Sequence, residues 1–98
     1  MQTTTEYRQA NDHATPVETL VELAKNGDIS VRWAVALNPH TPVKTLIELA
    51  GEEGWMIKGA VLHNPNCPEI IKTYFDLDGY AGLTLAEFAY GIWDHDNK

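Results

Sequence analysis

Four oxygen-bearing side chains in the stretch DLDGYAGLTLAEF hold the densest potential chemistry in the sequence: Asp76, Asp78, Thr84 and Glu87. Counted from Asp76 they fall at the first, third, ninth and twelfth positions, a spacing that can wrap carboxylate and hydroxyl oxygens around a hard cation such as calcium. Two neighbours oppose that chemistry. Tyr80 stands where the fifth position needs an oxygen ligand on a short side chain, and Ala81 stands where glycine permits the sharp turn. With both lost, affinity falls to ~10⁻³ M or poorer. The same residues can serve the backbone alone. Asp78-Gly79 can end one helix, and Thr84 with Glu87 spells the Thr-x-x-Glu capping box of the next. A structural loop is therefore the expectation, and calcium at Asp76, Asp78, Thr84 and Glu87 the alternative.

Other candidate chemistry is sparse. His13, His40, His63 and His95 do not pair at helical spacing, so they are expected to be solvated or capping histidines rather than metal ligands. Cys67 occupies a slot held elsewhere by threonine and is read as a tolerated cap substitution. The sequence has no nucleophile motif, no glycine-rich phosphate loop and no zinc-binding helix signature. Neither an enzyme nor a cofactor is expected.

The 98 residues, 44% hydrophobic, suit a single domain, with 14 Asp and Glu against 7 Lys and Arg for a net charge of −7. That balance repels a phosphate backbone, so the expected partner is another protein and not nucleic acid directly. No run of ~18 apolar residues suits a membrane span, and the start MQTTTEYRQ lacks a signal's basic flank and apolar run. The single cysteine fits a reducing compartment, and the cytoplasm is the expected location.

The elements that must position these residues are legible in the prolines. Pro16, Pro42 and Pro68 recur every 26 residues, and the period extends to their surroundings. Residues 15–24 (TPVETLVELA) lie over 41–50 (TPVKTLIELA), and 31–39 (VRWAVALNP) over 57–65 (IKGAVLHNP). Val17, Leu20, Val21, Leu23 and Ala24, like Val43, Leu46, Ile47, Leu49 and Ala50, are spaced for one face of a helix. Thr15 and Thr41 are expected as N-caps, Glu18 as the capping-box partner of Thr15, and Asn26-Gly27 and Gly51 as left-handed C-terminal caps. A second helix follows with the shorter stripe Val31, Ala34, Val35 or Ile57, Ala60, Val61, ending at Asn38-Pro39 or Asn64-Pro65.

The order Val31-Arg32, Val35-Ala36, Asn38-Pro39, Thr41-Pro42, Leu46, Leu49-Ala50 resembles the leucine-rich repeat variant, a bacterial α-solenoid repeat family. The resemblance covers roughly residues 12–72. It implies a right-handed helical stack used as a contact surface, with no family-wide catalytic residues. The 76–88 segment has a weaker, local resemblance to a degenerate EF-hand loop. The fold expected is all-α: a short right-handed α-solenoid of two to three helix-turn-helix repeats of 26 residues with irregular capping ends. It forms one domain over 1–98, with a repeat core at about 12–72 and a C-terminal capping helix at about 83–93.

Within this stack, Trp33 and Leu37 fall off the Val31, Ala34, Val35 stripe, and the equivalent surface of the next repeat carries Gly59, Leu62 and His63. Trp33 could be inter-repeat core or exposed, whereas Trp55 and Trp93 are expected in core or cap. Arg32 and Lys58 recur beside the stripe, where bonds to a neighbouring carboxylate or turn carbonyl are expected ahead of a basic ladder. Non-catalytic protein recognition through Trp33, Leu37, Arg32, Lys58, Leu62 and His63 is the functional expectation. A small acidic inhibitor of phage or mobile-element type, blocking a host nucleic-acid-binding protein, is the alternative from charge. An array with so few internal contacts also leaves room for a homodimer.

Overall fold

The computed structural model describes residues 2–51, 54–77 and 82–91, with side chains described from Thr5 to Tyr90. Asp78, Tyr80 and Ala81 of the acidic loop, and Trp93 and His95 near the end, lie outside the described residues. Among those described, every regular element is helical: α1 (Gln2–Asn11), α2 (Val17–Asn26), α3 (Ile29–Leu37), α4 (Val43–Ala50), α5 (Trp55–His63), α6 (Glu69–Asp76) and a terminal π-helical turn, Glu87–Gly91.

Helices α1, α3 and α5 line up side by side, while α2 packs on α3 and α4, and α4 on α5. The 26-residue period thus becomes two facing layers, each repeat contributing one helix to each. The apolar stripes meet between them. Leu20, Val31, Val35, Leu46, Leu49, Ile57, Val61 and Ile71 are the largest fully buried side chains, in one cluster that runs from Ala10 to Ala89. Each contributes ~1.5–3 kcal/mol relative to exposure.

The turns between layers repeat as closely as the helices. Asn38 Nδ2 donates to the carbonyls of Ala10 (2.8 Å) and Asp12 (3.1 Å), and Asn64 Nδ2 to those of Ala36 (2.8 Å) and Asn38 (2.9 Å). The other amide oxygen closes the turn locally, accepting from the His40 N–H in one repeat and from Asn66 in the next. One buried side chain therefore ties two repeats together and shapes its own turn. Asp12 occupies the same place one period earlier and accepts from the Ala14 N–H at 2.9 Å. A carboxylate can perform that half of the task but has no hydrogen to donate.

Several capping expectations are corrected. Thr15 and Thr41 do not cap the following helices: their hydroxyls turn back to the carbonyls of Gln9 and Val35, both at 2.6 Å, so Thr15 forms no capping box with Glu18. Pro16, Pro42 and Pro68 take the N-cap positions instead, extended and without side-chain cap bonds. Thr-Pro therefore closes the helix before it, adding a second hydrogen bond to a carbonyl that already accepts the N–H of residue 12 or 38. Gly27 and Gly51 are not left-handed, with φ of −76° and −82°. Gly27 is required by crowding: a Cβ there would sit 2.5 Å from Val31 Cγ1 and 2.7 Å from the Leu23 carbonyl.

The last repeat closes differently. Tyr74 donates to the Leu83 carbonyl at 2.6 Å and stacks on Phe88, which docks the terminal turn onto α6. By count Tyr90 follows Asn64 by 26 residues, but it lies within the terminal turn and is exposed, where Asn64 is a buried C-cap. Although Tyr90 is 38% exposed, its phenol is pushed above the ordinary range by partial desolvation and, less, by the nearby Glu48 carboxylate.

Candidate functional site

The repeat places Ile29 and Trp55 at equivalent positions, each the first residue of its helix and outside the buried stripe. Both face solvent, Ile29 at 46% and Trp55 at 81% exposure. The expectation that Trp55 is core or cap is therefore wrong: it is the first residue of α5, and the buried stripe of that helix begins only at Ile57. The period carries the signal that would have found it, since position 29 does not belong to the stripe either.

Beside Trp55 lies an open groove of about 390 Å³ lined by Trp33, Leu37, Met56, Gly59, Ala60 and His63 together with Trp55 itself. Its room comes from one change between repeats. The counterpart of Trp33 is Gly59, and a Cβ at Gly59 would meet nothing within 4 Å. Trp33 and Leu37 rest half-buried against the core and present their remaining surface to the groove. His63 is exposed, and its Nδ1–H donates to the Gly59 carbonyl at 2.9 Å, which aims the ring's other nitrogen away from the helix. The wall is almost wholly apolar, with this imidazole as its polar feature.

Trp55 also borders a second groove, of about 380 Å³, with Gly51, Gly54, Lys58, Tyr74, Phe75, Thr84 and Leu85. There the Lys58 ammonium lies 4.7 Å from the centre of the Phe75 ring, a cation–π contact. The recurrence of a basic residue at 32 and 58 does not build a ladder beside the first groove: Lys58 faces the second, and half-buried Arg32 lines neither. Leu62 packs against the core. Of the six residues expected to meet a partner, Trp33, Leu37 and His63 converge in one groove; Trp55 and Met56 were missed.

The acidic loop resolves in part. Thr84 and Glu87 form the reciprocal capping box, with the Thr84 N–H donating to Glu87 Oε1 at 2.9 Å and the Glu87 N–H to Thr84 Oγ1 at 3.1 Å. Asp76 is the exposed last residue of α6. Among the described residues no three His, Cys, Asp or Glu side chains gather as a metal-binding group. Cys67 is buried, and that burial pushes its thiol pKa up, offset in part by Lys72 and reinforced by Glu69. Among the described residues no helix is long and apolar enough to cross a membrane.

Comparison with protein-family models, with curated proteins and with solved structures finds no match to this chain.

Proposed function

We propose that this chain is a non-catalytic protein-recognition module whose contact surface is centred on Trp55 and the groove of Trp33, Leu37, Met56, Gly59 and His63. The observation that carries the reading is the exposure of Trp55. A tryptophan left 81% exposed at the lip of an apolar groove forgoes several kcal/mol of burial, and tryptophan is the residue type most enriched among interface hot spots. The motif resemblance to the leucine-rich repeat variant supports the same use of the helical face.

Comparing the proteins retained from the native host's lysate by wild type, Trp55→Ala and Trp33→Ala tests this. Loss of ≥2 kcal/mol, about thirtyfold in affinity, is expected for at least one partner on removing Trp55. Equal retention by wild type and Trp55→Ala would sink the proposed surface. Partner binding that survives both changes but collapses between low and high salt would point to blockade of a basic groove by the acidic faces instead.

A further inference from the structure

Successive inter-repeat turns bring together two histidines that lie 27 residues apart in sequence. The rings of His13 and His40 meet edge to face at a centroid separation of 6.1 Å, and both side chains are exposed. Their backbones are fixed by the same buried asparagine: Asn38 Nδ2 donates to the carbonyl of Asp12, immediately before His13, while Asn38 Oδ1 accepts the N–H of His40. The second carbonyl contact of Asn38, to Ala10, and the Asp12–Ala14 bond hold the surrounding turn.

These rings are not the repeat's usual means of joining turns. At the next interface the corresponding places hold Pro39 and Asn66, and the Asn66 amide donates to the Pro39 carbonyl. Two imidazoles are thus added to a turn pair that Asn38 already closes.

We infer that His13 and His40 form a two-histidine chelate for a borderline divalent transition ion, such as zinc, nickel or copper, leaving the ion's remaining positions to water or to a group from a partner. With metal–nitrogen bonds of ~2.0–2.1 Å the ion sits ~3.2 Å from each ring centre, so two rings at ~90–109° around it lie ~4.5–5.2 Å apart. The observed 6.1 Å closes to that range by about 1 Å of side-chain rotation. Neutral imidazole is a preferred ligand for these ions and a poor one for calcium or magnesium, which select oxygen. The rigid backbone means that little ordering is lost on binding.

The test is calorimetric titration of the tag-free full chain with nickel chloride, and separately with zinc and copper salts. Wild type is compared with His13→Ala, His40→Ala and His63→Ala, after circular dichroism confirms equal helicity. One ion per chain is expected, weakened at least about tenfold by each of the first two changes and unaltered by the third. Sub-stoichiometric copper is expected to broaden the ring resonances of His13 and His40 together. The inference is overturned by no binding up to millimolar ion, by binding that survives either change, or by broadening confined to one of the two rings.

Discussion

Asn64 donates its side-chain amide to the carbonyl of Asn38, one full repeat earlier, at 2.9 Å, while Asn38 makes the same bond to Asp12. These bonds run through the buried seam between α1, α3 and α5, where water cannot replace a lost donor. Asn38→Asp removes both donated bonds and points a carboxylate at two carbonyls. A loss of ~2–4 kcal/mol is expected, larger than for Asn38→Ala, read as a lower urea midpoint with an unchanged slope.

Two glycines respond in opposite directions to alanine substitution. Gly27→Ala drives a methyl group into Val31 and the Leu23 carbonyl and is expected to cost ~1–3 kcal/mol, although the backbone there suits any residue. Gly59→Ala, inside α5 with open space around it, is expected to stabilise by ~0.5–1 kcal/mol. Thermal melts of the two variants should move in opposite directions.

Cys67 stands where Thr15 and Thr41 bond the carbonyl six residues earlier; its sulfur instead lies 3.7 Å from the Pro68 carbonyl. Cys67→Thr restores a hydroxyl able to reach the Val61 carbonyl and should raise stability by ~0.5–1.5 kcal/mol. For a domain of this size each kcal/mol appears as a rise of roughly 4–8 °C in the thermal midpoint. In the wild type the folded chain holds the thiol proton more tightly than the unfolded chain does. That stability is complete below the ordinary thiol pKa and is lost as pH rises through the raised one. Above about pH 9 the wild-type melt should therefore weaken more than the Cys67→Thr melt, in which, among the described residues, only the raised Tyr90 phenol contributes such a loss, at higher pH.

The capping box makes a separate statement about the acidic loop. Thr84→Ala or Glu87→Ala should each cost ~0.5–2 kcal/mol, because each removes a bond to an otherwise open amide of the terminal helical turn. Millimolar calcium should leave the wild-type thermal midpoint unchanged. A calcium-dependent rise abolished by Asp76→Ala would instead give the loop an ion-binding role.

The helical stack was legible because three kinds of residue repeat together: the prolines that start helices, the aliphatic stripes and the Asn-Pro pairs. What those residues do at the turns was less so. A threonine before a helix-starting proline reads as an N-cap, yet the proline holds that place and the hydroxyl is within reach of the preceding helix end. Trp55 was misjudged because hydrophobicity alone sends tryptophan inside, whereas its helical position sets its direction. The His13–His40 contact is not visible at helical spacing because it joins the turns of neighbouring repeats, at one period plus one residue.

The substitution at residue 12 has a consequence for how such a stack acquires a length. An asparagine rung needs carbonyls behind it and offers its own carbonyl ahead, so copies of the unit could be added without limit by the same bond. Asp12 keeps the acceptor for its own turn and discards the donor, so it makes no such bond to the chain behind it. At the other side the terminal turn is docked through Tyr74 and Phe88 and not through an asparagine rung. The array is therefore punctuated at residue 12 by a single side chain, and its size could be edited by inserting whole 26-residue words between that mark and the docked terminal turn.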